Sequence, residues 1–179
     1  MHTYAALTTR RTHHSFTSAP VPSDALQRAL EAANHAPCHR HTWPWRFIVL
    51  GPRTRAKLAD IAARVKGCTT DAARAAVQRK IAGSGSLVVC TQIPCEDAFQ
   101  AKEDYAACAC AVHNFTLSLH ADGFSTKWGT GSVTRAPEVA ELLDCRGHTV
   151  VGFLYVGTPS AAPPPVKRPP LDEVVRWAD

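Results

Sequence analysis

Long apolar runs are missing from this sequence. Phe47 to Leu50 and Leu87 to Cys90 are typical of its cleanest stretches, far short of the ~20 residues that span a bilayer. No membrane partner is expected. Met1-His2-Thr3-Tyr4 lacks a charged segment followed by an apolar core, so no signal peptide is expected either. The seven cysteines, at 38, 68, 90, 95, 108, 110 and 145, are odd in number and none are paired as C-x-x-C. That argues against a disulfide framework and against a zinc finger. Cys38-His39-Arg40-His41 has the residue types of a metal site without the paired spacings, and no metal is expected. G-x-S-x-G, H-E-x-x-H and Walker motifs are absent, as is G-x-G-x-x-G entering a helix. Hydrolytic, Rossmann and P-loop chemistry therefore have no support.

What is present is an ordinary globular mixture, 45% hydrophobic and 20% charged. The length of 179 residues suits one domain spanning 1–179, able to bury about 70% of its unfolded surface. A soluble, cytoplasmic protein with reduced thiols is expected. Lys and Arg outnumber Asp and Glu by 20 to 15, and the excess is expected near the two ends of the chain. There Arg10-Arg11 stands beside His13-His14, and Lys167-Arg168 lies in the tail. Two local clusters suit a small anionic ligand, and no reading motif points to nucleic acid.

The periodicity predicts a short helix over 3–10, an extended arm over 11–22, and a helix begun by a Ser23-Asp24 cap and ended before Pro37. A polar loop over 37–44 leads to a strand at Trp45 to Leu50. Two exposed helices are expected at 53–65 and 70–82, and a strand buried on both faces at Ser86 to Gln92. The longest helical pattern runs from Ala98 to Asp122, with Gly123 as its stop. It is apolar on so much of its circumference that it belongs in a core or a subunit interface. Strands follow at Phe124 to Trp128 and Thr149 to Gly157, a short helix at 137–144, a proline-rich tail over 159–170, and a terminal helix at Leu171 to Trp177. Alternating helices and strands give an α+β or α/β class with one central sheet.

Three segments carry chemistry. Arg10-Arg11-Thr12 with His14 offers guanidinium forks, a hydroxyl and an imidazole, a set matched to phosphate or to an ordinary basic surface. The loop from His35 through His39 to Trp43 and Trp45 groups polar and aromatic side chains as binding loops do. Trp128-Gly129-Thr130-Gly131 ends a strand in a glycine turn whose backbone N–H groups can face a ring or an anion.

Together these segments resemble the FMN-dependent nitroreductases, especially short bacterial members. Arg10 to Phe16 resembles their R-R-[ST]-x-[RKH]-x-F opening, and Ala36-Pro37 with Pro44-Trp45-Arg46-Phe47 resembles their A-P…P-W-x-F block. Trp128 to Gly131 is similar to their W-x-[ST]-G turn, and Val151 to Pro159 to their V-G-F-x-Y-[VL]-G-x-P strand. The resemblance implies an α+β fold with a mostly antiparallel sheet flanked by helices. It implies a homodimer whose C-terminal tail extends toward the partner subunit, with FMN at the interface. Carried over by position, Arg10, Arg11, Thr12 and His14 would hold the FMN phosphate, with Lys167 and Arg168 as additional candidates. His35 and His39 would stand near the flavin, and Trp128, Gly129 and Thr130 along its ring. NADH or NADPH would be the electron donor, and a small planar acceptor, nitroaromatic or quinone, would be reduced in a ping-pong scheme. No catalytic side chain is implied, because the flavin carries the chemistry. Trp43 stands where the family has glutamine, which leaves room for an atypical substrate. Alternatives are a flavin- or metal-binding regulatory protein without turnover, and a reductive dehalogenase or flavin destructase on the same fold.

Overall fold

The structure, a computed structural model, describes residues 1–163 and 165–178. Four strands form one sheet: β1 (Trp45–Val49), β2 (Ser86–Gln92), β3 (Ser125–Gly129) and β4 (Thr149–Gly157). Their order is β1-β2-β4-β3, and each adjacent pair is antiparallel. The class is therefore α+β.

Every residue of β2 is buried, because its two faces meet different cores. Val88 and Cys90 pack with α2 (Ser23–Asn34) and α5 (Ala98–Ala121), around Phe115, Leu119 and Leu154. Leu87 and Val89 pack with α3 (Pro52–Val65), α4 (Asp71–Ala82) and α6 (Pro137–Leu142), around Leu58, Val139 and Phe153. The continuous apolar run is the signature of a strand covered on both sides. In β4 the register shifts: Thr91 pairs with Val150 and Cys90 with Gly152. Val151 is the extra residue of a bulge, so its carbonyl is free to accept the Trp128 indole Nε1–H at 3.0 Å. Gly152 is required there, since a Cβ would collide with that indole.

Ahead of the sheet, α1 (Thr3–Thr9) packs on the C-terminal end of α5, where the Thr9 hydroxyl meets His120 Nε2 at 2.9 Å. The arm that follows borders β3: Thr12 bridges Thr126, and Phe16 bridges Pro159 beyond β4.

Several expectations are corrected. Pro22, not Ser23, caps α2, without a side-chain bond, and Asp24 instead pairs with Arg28 at 2.8 Å. Helices α3 and α4 are not merely exposed, since they bury Leu58, Ala59, Ile61, Ala62, Ala63, Val77 and Ile81. The predicted helix at Leu171 to Trp177 is only a 3₁₀ turn, Leu171–Glu173. Leu171, Val174 and Trp177 are exposed, and an apolar stripe that packs on nothing does not hold so short a helix. The charge excess is also not at the chain ends. Residues 52–82 carry eight Lys/Arg and two Asp, and the rest of the chain 12 Lys/Arg and 13 Asp/Glu. Pro164 of the predicted tail and Asp179 lie outside the described residues. Among the described residues no helix is long and apolar enough to cross a membrane.

Candidate functional site

The α1–arm junction builds one end of a trough. Arg10 ends α1, its N–H donating to Ala6 O at 3.1 Å, and Arg11 is turned back on the helix. Arg11 Nη1 donates to Thr8 O and to Arg10 O, both at 2.8 Å. Arg10, Arg11, Thr12 and His14 converge with Arg168 around a cavity of about 230 Å³ that no carboxylate lines. Burial, and then the charges of Arg168 and Arg11, pull the Arg10 guanidinium below its ordinary range. Uncompensated cations gathered on a cavity favour an anion.

His14 also opens on a second cavity, about 270 Å³, with Arg79, Lys80, Lys127 and Tyr155. Lys127 Nζ donates to His14 Nδ1 at 3.0 Å, an arrangement that puts the imidazole N–H on the other ring nitrogen. Lys80 and Tyr155 continue into a third cavity of about 140 Å³, lined by Gly129, Thr130, Gly131 and Lys66. The three cavities share lining residues in sequence, His14 between the first and second and Lys80 with Tyr155 between the second and third, and together they are treated as one trough. Tyr155 is buried. Desolvation pushes its phenol pKa up despite the opposing charge of Arg55, which keeps it a neutral proton donor.

The remaining sequence-predicted residues divide. Gly129 and Thr130 line the trough. Trp128 does not: its indole is fixed to Val151 O and lies over Gly152. Arg168 reaches the first cavity, but Lys167 is exposed and does not line it. His35 and His39 are elsewhere. His35 Nδ1 donates to Glu31 O at 2.8 Å, and His39 Nδ1 lies 3.9 Å from Glu103. Glu103 and the His120 that meets Thr9 are separated on α5 by about 25 Å of helix. One chain therefore does not bring His39 to the Arg10 cluster.

The loop carrying His39 is strained. Arg40, His41 and Trp43 have φ of 55°, 52° and 47°, the left-handed region that non-glycine residues avoid. Thr42 Oγ1 donates to the buried Asp104 at 2.6 Å, and Trp43 N–H to Cys38 Sγ at 3.3 Å. His41 and Trp43 stack at 5.2 Å. Among the described residues no group of three or more His, Cys, Asp or Glu is placed to hold a metal ion.

A family model described as the Nitroreductase family matches residues 7–158. The chain belongs to the nitroreductase family. By that membership it is an oxidoreductase. It is 32% identical over 150 residues to the Escherichia coli (strain K12) protein named "Putative NAD(P)H nitroreductase YdjA", covering 78% of this chain and 79% of that one. A nitroreductase-like protein from Bacillus cereus has the same fold, with a TM-score of 0.86 at 26% identity, over 99% of this chain and 96% of the other. An Exiguobacterium sibiricum protein named "putative nitroreductase" and solved in complex with FMN shares the fold at a TM-score of 0.82 and 15% identity, over 99% and 98% of the two chains.

In this nitroreductase-family chain, reasoning from sequence missed Lys66, Arg79, Lys80 and Tyr155 as residues of the trough. Lys127 carried a signal, since it precedes the glycine turn. The α4 lysine and arginine carried none, because cations ending an Ala/Arg-rich helix look like a solvated face.

Proposed function

We propose that this nitroreductase-family protein is an FMN-dependent oxidoreductase that takes hydride from NADH or NADPH and reduces planar acceptors such as nitroaromatics or quinones, donor and acceptor occupying one place in turn. The observation that carries this reading is the trough itself: a small, carboxylate-free, three-arginine cavity at one end, sharing His14 with the cavities that lead by Lys80 and Tyr155 to the Gly129–Gly131 turn. That is the chemistry of a ligand with a terminal phosphate and an extended body, and the residues fit FMN. When bound, FMN supplies two-electron transfer between a nicotinamide donor and the acceptor.

The chain's own residues hold and orient. Arg10, Arg11 and Arg168, with the Thr12 hydroxyl, bind the phosphate through charge-assisted bonds. His14 donates from the nitrogen that Lys127 leaves protonated, and Lys127 adds positive charge beside it. Backbone N–H groups at Gly129 and Thr130 face the ring, and Tyr155 closes the floor under Gly129, whose missing Cβ leaves room for the Tyr155 ring. Lys167 adds charge at the phosphate end.

Residues 1–179 act as one FMN-binding domain, and two copies make the site. His39 lies too far along α5 from its own Arg10 cluster, and His35 lines none of the three cavities; a second copy brings both to the site. Tyr4 and Leu7 of α1, Phe99 and Tyr105 of α5, and Trp177 of the tail are exposed. These are the surfaces the second copy covers, the tail extending toward it. The protein works in the cytoplasm, without nucleic-acid or membrane partners.

The test is the visible spectrum of the purified protein after incubation with FMN and desalting. Retained flavin absorbance that bleaches anaerobically with NADH or NADPH is expected. Flavin that is retained but bleached by neither donor overturns the oxidoreductase reading, and a chain that retains none overturns the site.

A further inference from the structure

We propose that the outer seam of the α3–α4 hairpin is a docking groove for a protein partner, and that its occupant is a short amphipathic helix with a narrow apolar ridge and acidic flanks. The groove stands apart from the trough and does not depend on the flavin chemistry.

The seam begins in the sequence. Pro52, Ala56, Ala59 and Ala63 recur at i, i+4, i+7 and i+11, one stripe along α3. Opposite them on α4, Arg74, Gln78 and Ala82 recur at i, i+4 and i+8. Side chains as short as alanine leave the space above the contact of two helices unfilled. Two cavities, of about 500 and 330 Å³, lie along this line, and Asp60 and Gln78 line both. None of their residues lines the trough. From Pro52 to Ala63 the seam runs about 16 Å, three turns of helix.

The charge beside the seam is of one sign. Residues 52–82 carry eight Lys/Arg and two Asp, and three of those cations, Lys66, Arg79 and Lys80, belong to the trough. Of the rest, Arg53, Lys57 and Arg64 are exposed and fall at i, i+4 and i+11, next to the alanine stripe. Arg64 and Arg74 face the second cavity from the two helices. Among the described residues no carboxylate lies within ion-pair distance of Arg53, Lys57 or Arg64. Like charges at i and i+4, as at Arg53 and Lys57, disfavour the helix that carries them. An acidic partner relieves that repulsion.

The groove is held open before anything enters it. At one end Arg55 Nη2 donates to the carbonyls of Ile81, Ala82 and Ser84 at 2.7, 2.9 and 2.7 Å. At the other, Arg74 Nε donates to Cys68 O at 3.4 Å. A preformed surface loses little freedom on binding. Its shape selects the occupant. A helix settles on two others when its ridge enters their groove, and an alanine floor lets it come close. An extended strand would find no sheet edge here, and a nucleic acid would meet alanine where it needs further cations. Asp60, midway along the seam, adds an acceptor for one cation or amide of the ridge and so fixes its register.

The experiment titrates the FMN-loaded protein into a fluorescein-labelled helical peptide of about 15 residues, followed by anisotropy. The peptide has leucine and alanine at i, i+4, i+7 and i+11, one central lysine and glutamate flanks; a scrambled peptide of the same composition is the control. The patterned peptide should bind at least about tenfold more tightly than the scrambled one, the size of one leucine ridge contact. Arg64→Glu should weaken it about fivefold at low salt, and less as salt rises. Ala56→Phe, at an exposed position, fills the groove without changing its charge and should abolish binding. Both variants should keep their circular dichroism and their flavin. Equal binding of the two peptides, or none of either, overturns the groove. Binding that survives Ala56→Phe and is displaced by duplex DNA assigns the cations to a nucleic acid and overturns the partner. Self-association that Ala56→Phe disperses makes the occupant a second copy, which also overturns it.

Discussion

The basic trough draws its side chains from the arm, the end of α4, β3 and the tail, and none of its non-glycine residues leaves ordinary backbone geometry. The 38–43 loop does the reverse. It packs cysteine, two histidines and a tryptophan into six residues and holds three of them at positive φ. The trough recognises by accumulated charge, which needs only that distant cations converge. The loop positions by geometry, at a cost of about 1–2 kcal/mol for each left-handed residue, offset by the Thr42–Asp104 and Trp43–Cys38 bonds. Such strain persists where the surroundings over-determine it. A charge site therefore tolerates drift in its members, and the loop does not tolerate loss of its anchor.

The sharpest test of the difference is at the phosphate end. Arg10→Ala should weaken FMN binding by about 1.5–3 kcal/mol, roughly 10- to 150-fold, read by flavin fluorescence on titration. Arg11→Ala should cost less, because two backbone carbonyls already engage its Nη1. Equal losses in the two variants would mean that their roles are not divided in this way. The next largest effect is on the loop. Asp104→Ala leaves the Thr42 hydroxyl and the Gln100 amide without their acceptor and should destabilise the fold by about 1.5–3 kcal/mol in urea unfolding. The spectrum of bound flavin should change only where two copies share a site, so an unchanged spectrum in a proven dimer would separate the loop from the trough altogether.

The smallest effect is on pH dependence, and only the trough end should show it. His120 is held below the ordinary histidine value of 6.5 by burial and by Arg10, His13 and Arg11, and His113 by burial and Arg10. Both are neutral in the fold where the unfolded chain would take up a proton. Their contribution is fully present above about pH 6.5 and is lost as pH falls from there toward the lower folded values. Thermal unfolding between pH 7.5 and 5 should show this decline, and Arg10→Ala should flatten it by removing a charge that disfavours both imidazoliums. A steeper decline in the variant would contradict the assignment.

The strands were legible because burial on two faces writes a continuous apolar run, and β2 and β4 have the bounds their sequences imply. The Arg10-Arg11-Thr12 end of the site was legible as a local cluster. The other end was not, because Arg79 and Lys80 join the trough only when α4 lies against β3 and β4, a tertiary fact with no local trace. The loop's backbone was equally hidden: left-handed turns usually announce themselves with glycine or asparagine, and here arginine, histidine and tryptophan occupy them. The tail misled in the opposite direction, since Leu171 to Trp177 has helical spacing but no surface in its own chain to lie on.

The arm has one more consequence. By bridging Thr12 to Thr126 and donating from His13 N–H to Thr126 O at 3.2 Å, it shields the outer margin of β3, the last strand of the sheet. Unshielded margins of this kind template the addition of foreign strands. The peptide that shields it also presents Arg10 and Arg11, so a ligand that steadies those arginines should also slow aggregation, an outcome that light scattering with and without FMN would check.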